Sequence, residues 1–323
     1  MLRPALVLPL LVALPAFAAG EERSPAEVRA DFTYGRAVVT GVVEGVTEYL
    51  PVSSTGHMIL SDGLICNVNK DPNVVVQGVV DRKGRAVSLD RVADDYLVII
   101  QLGAILAVVV AFFGRLRGLL VGVLRGERAS LRLAFAMLVA FLPAGLLGFL
   151  FKDAITAHLF SVEVVAVALV VGGIAILIAE KFLPARAAEG DEVAALGWRS
   201  ALTVGLCQCF ALIPGTSRSL ATILGGRVAG LSHAAATEFS FLVGLLTLSA
   251  ASVYKAWSLG PALPQIYPAG PALVGLLIAA VTAFLSVRWL VGYVSRRGLG
   301  VFAWYRIALG GTILAVLAVR TLR

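Results

Sequence analysis

Hydrophobic and polar positions along this chain separate into long apolar runs and short charged intervals. Six runs, at about 97–113, 132–151, 162–179, 239–254, 271–287 and 303–319, are each nearly free of charge and long enough to cross a bilayer as helices. Two further apolar stretches, 37–61 and 201–230, differ in kind, because Pro, Gly, hydroxyls and ionisable groups interrupt their middles. The pattern predicts an all-α polytopic membrane protein with six transmembrane helices and two broken segments, which, if neither crosses, enter as re-entrant helix pairs from opposite sides and converge at their tips.

The order is one broken segment plus three spans, then the same again. Three is odd, so the second half is expected to be inverted relative to the first, with repeats at 35–180 and 197–320. An internal echo supports the duplication: Leu50-Pro51-Val52-Ser53-Ser54 in the first broken segment against Ile213-Pro214-Gly215-Thr216-Ser217 in the second. Inverted repeats with discontinuous helices place their working site near the midplane, where the breaks meet. Ahead of the first repeat, Arg3, the apolar core Ala5 to Leu14, and Ala16-Phe17-Ala18 before Glu21-Glu22-Arg23 have the form of a cleavable signal peptide over 1–18. An uncleaved anchor is the alternative, and the run is short for a span.

Composition narrows the class. Apolar residues make up 59% of the chain and charged residues 15%, against roughly a quarter charged in soluble globular proteins. The surplus of 27 Lys+Arg over 20 Asp+Glu is read by position, and it marks membrane orientation with no nucleic-acid partner. Arg115, Arg117, Arg125, Arg128 and Arg132 lie between the first two spans, and Arg288, Arg296 and Arg297 lie in the interval 288–302, so both intervals are expected in the cytoplasm. The segment 62–96 then falls outside. Its alternating apolar run near Val74 to Val80, followed by Asp81-Arg82-Lys83-Gly84-Arg85, predicts a small external hairpin. Cys66, Cys207 and Cys209 have no metal-type spacing.

The scarce polar groups inside the apolar stretches carry the chemistry. Glu44 and Glu48 are four apart and share one helix face; two carboxylates at membrane depth need a polar cavity, a cation or a shared proton. Pro51 stops that helix. Ser53, Ser54 and Thr55 crowd hydroxyls at the turn, as helix caps or as a nucleophile, with His57 three positions after Ser54. A helix starting near Thr55 would aim free N–H groups at the break, a ready anion site. In the second break, Arg218 is flanked by Ser217, Ser219 and Thr222. A guanidinium fork among hydroxyls and helix N-terminal amides suits a phosphate; Arg218 could equally neutralise Glu44 or Glu48, and the two roles are compatible.

The segments Glu44-x-x-x-Glu48…Pro51-Val-Ser-Ser-Thr-Gly-His57 and Pro214-Gly-Thr-Ser-Arg218-Ser-x-x-Thr222 closely resemble the two signature motifs of the bacterial undecaprenyl-diphosphate phosphatase family, also called bacitracin resistance protein. The similarity runs from about residue 35 to the C-terminus and includes Ile100-Gln101-Leu102-Gly103-Ala104-Ile105-Leu106 and Glu238-Phe239-Ser240-Phe241. The resemblance implies a multi-pass enzyme of the bacterial inner membrane. It would hydrolyse a polyprenyl diphosphate lipid to the monophosphate and inorganic phosphate at a site facing the periplasm, recycling the carrier for cell-wall synthesis and conferring bacitracin resistance. It implies a divalent cation, Mg2+ or Ca2+, held by Glu44 and Glu48. Ser54 matches the proposed nucleophile, Glu48, His57 and Glu44 its catalytic partners, and Arg218 the phosphate-binding arginine. Ser217, Ser219, Thr222, Ser53 and Thr55 match supporting hydroxyls. The signal-like N-terminus and the segment 62–96 exceed the compact form of the family. The competing reading is an inverted-repeat secondary transporter or a lipid-carrier flippase, and homodimer formation is left open.

Overall fold

The computed structural model describes residues 21–66, 68–183 and 189–321; the signal-peptide expectation over 1–18 lies outside the described residues. The elements, in order, are β1 (Glu22–Arg23), α1 (Pro25–Ala30), α2 (Tyr34–Thr47), α3 (Ser54–Leu64), β2 (Val75–Val80), β3 (Ala86–Ser88), α4 (Leu89–Ala111), α5 (Phe113–Leu124), α6 (Arg128–Leu150), α7 (Lys152–Leu159), α8 (Val162–Phe182), α9 (Glu192–Ala195), α10 (Trp198–Gln208), α11 (Arg218–Val228), α12 (His233–Leu259), α13 (Leu263–Ile266), α14 (Ala269–Arg297) and α15 (Gly300–Thr321). Among the described residues six helices are long and apolar enough to cross a membrane: α4, α6, α8, α12, α14 and α15. They coincide with the six apolar runs, and the protein is an all-α polytopic membrane protein.

Several helices outrun the apolar pattern. α4 begins eight residues before the run at 97 because its first turns are polar yet paired: Asp95 is buried against Lys255 of α12 and Arg91, and Arg91 also binds Asp81 at 2.8 Å. α14 continues to Arg297 and stops at Gly298, whose φ of +65° suits glycine. The arginine-rich interval after α4 is itself helical as α5, folded back on α6.

Both broken stretches become helix pairs, α2–α3 and α10–α11. At each break the residue before the second helix is a serine with φ near +75°, Ser53 at 73° and Ser217 at 76°; they are the two non-glycine residues with positive φ among the described residues. Each hydroxyl accepts the N–H three residues on, from Gly56 and Leu220. The cap offsets a conformation that costs L-residues about 1–2 kcal/mol.

Packing is closest where small residues allow it. α2 lies on α14 with Gly41 and Gly45 against the backbone around Gly275 and Ala279, and Thr282 Oγ1 donates to the Gly41 carbonyl at 3.3 Å. The corresponding pairing in the other half is α10 on α6; α4 packs on α12, and α8 on α15. This set of pairings maps onto itself when the elements of one half are exchanged for those of the other. Exposed apolar side chains such as Leu277, Val281 and Leu285 line the outside, an exposure that costs little in lipid.

Segment 62–96 supplies β2 and β3, antiparallel as the predicted hairpin, and β1 from ahead of α1 joins parallel to β2 to complete a small sheet of order β1-β2-β3. Val74, Val76, Val79 and Val87 pack with Val28, Phe32, Leu259 and Ile266 into a second apolar core that caps one end of the bundle.

Candidate active site

The site forms where the two breaks meet. The helical backbone continues from α2 through Glu48, whose N–H donates to the Glu44 carbonyl at 2.9 Å, so the two carboxylates sit one turn apart as the spacing requires. Both are buried. Ser54 is the first residue of α3, and its Oγ donates to Glu48 Oε2 at 2.6 Å. The other oxygen of Glu48 accepts from Arg218 Nη2 at 3.2 Å. Arg218 is the first residue of α11, so it occupies in the second break the position Ser54 occupies in the first.

Arg218 is held on several sides. Its Nη1 donates to the Ser240 carbonyl at 3.1 Å, and its guanidinium lies over the Tyr49 ring at 5.2 Å. Gly244 of α12 leaves the space the guanidinium fills. Its Nε is buried with no hydrogen-bond partner among the described residues, so one donor remains for a ligand. The opening turns of α3 and α11 add N–H groups that have no intrahelical acceptor.

The remaining motif residues take different places. Ser53 and Ser217 are the helix caps. Ser219 is fully buried and donates to the Leu50 carbonyl at 2.9 Å, tying the second break to the first. Thr222, also fully buried, bonds the Arg218 carbonyl and Ser240 Oγ. Thr55 is half-buried at the second position of α3. His57 is not directed at Ser54: its Nδ1 lies 2.8 Å from the Ser53 carbonyl, which can only accept, and its Nε2 lies 2.5 Å from the Tyr305 hydroxyl. In the neutral ring Nδ1 therefore carries the proton and Nε2 accepts.

The donor set fits a hard cation. Glu44 and Glu48 face one another's charge, and the Gln101 side chain lies near Glu44. Two carboxylates, an amide and the Ser54 hydroxyl are oxygen donors of the kind Mg2+ and Ca2+ take. Sequence reasoning assigned no role to Gln101, Ser240, Tyr49, Tyr305 or Arg306. Gln101, Ser240 and Tyr49 lie within the quoted motifs, and no local pattern marks Tyr305 or Arg306.

Across known proteins, the family model described as bacitracin resistance protein BacA matches residues 37–312. Undecaprenyl-diphosphatase 2 of Rhodospirillum rubrum is 44% identical over 281 residues, 87% of this chain and 93% of the relative. Undecaprenyl-diphosphatase 1 of Chromobacterium violaceum is 44% identical over 280 residues, 86% and 94%, and the undecaprenyl-diphosphatase of a Polaromonas species is 43% identical over 282 residues, 87% and 94%. The matched region begins within α2, ends within α15 and holds both breaks with every residue of the site, so the chain belongs to the bacitracin resistance protein BacA family.

Proposed function

We propose that this protein hydrolyses undecaprenyl diphosphate to undecaprenyl phosphate and inorganic phosphate, as the names of its relatives describe for them, and that the junction of the two breaks is where it does so. The observation that carries the reading is the chain of contacts from Ser54 Oγ through Glu48 to Arg218. A nucleophile, a base within hydrogen-bond reach and a phosphate-binding cation stand in one line.

In this mechanism Ser54 Oγ attacks the terminal phosphorus and its proton passes to Glu48. The bond between that phosphorus and the bridging oxygen breaks, and undecaprenyl phosphate leaves. Undecaprenyl phosphate takes up the proton from Glu48 as it leaves, so Glu48 can accept a proton from the water that then attacks the phosphoserine and pass it to Ser54 Oγ as the phosphorus–Oγ bond breaks and inorganic phosphate departs. Arg218, through its free Nε, and the first-turn N–H groups of α3 and α11 stabilise charge on the equatorial oxygens. His57 acts through the Ser53 carbonyl, steadying the strained turn that presents Ser54. A divalent cation held by Glu44 and Glu48, with Gln101 behind Glu44, would supply Lewis-acid charge neutralisation at the phosphate.

The exchange of packing partners between halves supports reading 35–180 and 197–320 as inverted repeats. The arginine-rich end is then cytoplasmic, and the α2–α3 pair, entering from the end that carries the sheet, opens the site to the periplasm. Phosphate release by detergent-purified protein, with and without chelator, tests class, substrate and cation together. Release abolished by chelator and restored by Mg2+ or Ca2+ is expected. Movement of substrate across sealed vesicles without phosphate release would establish transport instead. Trapping phosphate on Ser54 distinguishes covalent transfer from direct attack by water.

A further inference from the structure

Arg306 lies in α15, within a run that reads as an ordinary span, and is fully buried. Its Nη1 donates to the Pro51 carbonyl at 3.2 Å. Its Nη2 donates to the Gly215 carbonyl at 2.9 Å and to the Ala168 carbonyl of α8 at 3.0 Å. Pro51 lies two residues before the cap Ser53, and Gly215 lies two residues before the cap Ser217. One guanidinium thus grips the equivalent carbonyl in each break. No carboxylate neutralises it among the described residues; the carbonyl dipoles take that place. Gly172 of α8 leaves the room it occupies, since a Cβ there would collide with it.

The consequence is geometric. Each gripped carbonyl lies three residues before a functional side chain, Ser54 in one pair and Arg218 in the other. Fixing both carbonyls to one rigid planar group fixes the spacing of those side chains across two elements that share no covalent link nearby. Arginine suits this because its fork supplies several donors in a set plane, whereas a lysine ammonium cannot span the same three carbonyls with one geometry.

We propose that Arg306 is a positioning residue for the phosphoryl-transfer reaction, clamping the two breaks so that Ser54 and Arg218 meet the same phosphate. The proposal rests on the hydrolase reading above. It acts through the breaks, so turnover is affected more than substrate capture: misplacement by about 1 Å costs on the order of a hundredfold in rate. For Arg306→Gln, kcat for phosphate release should fall by about a hundredfold with KM within about threefold, and Arg306→Lys should recover only part of the loss.

The second readout is independent of hydrolysis. Spin labels at Ile65, just beyond α3, and at Val228, the end of α11, are both at exposed positions and report the separation of the two pairs in a background with the native cysteines replaced. The Arg306 variants should broaden or shift a distance distribution that is single and narrow otherwise. If Arg306→Gln does not fold, Gly172→Ala perturbs the same guanidinium from the α8 side and should give the same two signatures. An unchanged kcat, or a distance distribution unchanged from that of the parent, overturns the proposal. Absence of phosphate release by the unsubstituted protein would instead sink the hydrolase reading, while the distance measurement would still test the clamp.

Discussion

Glu48→Gln separates the roles of the central carboxylate almost without changing its shape. Glu48 uses one oxygen to accept from Ser54 at 2.6 Å and the other to accept from Arg218 at 3.2 Å. A glutamine has one acceptor and one donor end. Arg218 can only donate, so the amide oxygen must turn to it, and the NH2 then faces Ser54 Oγ. Ser54 becomes an acceptor at that contact and its proton loses its destination. Loss of a positioned base costs about 10²- to 10⁴-fold, equivalent to about 2.7–5.4 kcal/mol in the barrier. Stability should also fall, by about 3 kcal/mol, near the low end for breaking a buried ion pair, because Arg218 keeps the Ser240 carbonyl and the Tyr49 ring. The assay is phosphate release at saturating substrate from detergent-purified protein, with thermal unfolding followed in parallel. A kcat within about threefold of the parent, in a folded variant, would refute Glu48 as the base. If His57→Gln then lost more activity than Glu48→Gln, the proton would have to leave by the histidine instead.

Arg218→Ala should lower kcat by about a hundredfold or more, the usual consequence of removing one preorganised electrostatic donor, and Arg218→Lys should fall between; near-parental phosphate release by the alanine variant would remove Arg218 from the phosphate site. Tyr305→Phe deletes only the hydroxyl facing His57 Nε2 and should change kcat by less than about threefold, since the Ser53 contact survives; a loss comparable to Glu48→Gln would argue against the indirect role given to His57. In the β2–β3 hairpin, burial alone would raise the Asp81 carboxyl, but the N–H groups of Arg85 and Lys83 and the guanidinium groups of Arg91 and Arg85 outweigh it and hold the carboxyl well below its usual range. The stabilisation is therefore complete above the unfolded value near 4 and is lost as pH falls below it. Hydrogen-exchange protection of residues 75–88 should hold from pH 7 to about 5 and drop by pH 3, a drop that Asp81→Asn should largely abolish.

Much of the site's local form follows from neighbouring residues in sequence. The four-residue spacing of Glu44 and Glu48 places them on one face, α2 and α10 end four and six residues ahead of Pro51 and Pro214, which lie in the breaks, and the serines that follow cap the next helices. The motif hydroxyls divide by position: Ser53 and Ser217 are held by the turns they cap, whereas Ser54, one residue on, is free to reach Glu48. Nothing in the spacing separates Ser219 and Thr222, which bond to Leu50 and Ser240, from Ser54, whose hydroxyl reaches Glu48, because Leu50 and Ser240 come from other elements.

Six spans, two breaks, the β2–β3 hairpin and the residue types gathered at each break were legible along the chain, because hydrophobic periodicity and turn chemistry act over a few residues. Packing alone brings Arg218 to Glu48 across 170 positions so that it shares that carboxylate with Ser54, turns His57 to Tyr305, and lets Arg306, one charge within a span, join Pro51 to Gly215. Those contacts depend on how α2 packs on α14, α10 on α6 and α8 on α15, and a guanidinium's partner is whichever carbonyl that packing brings within about 3 Å.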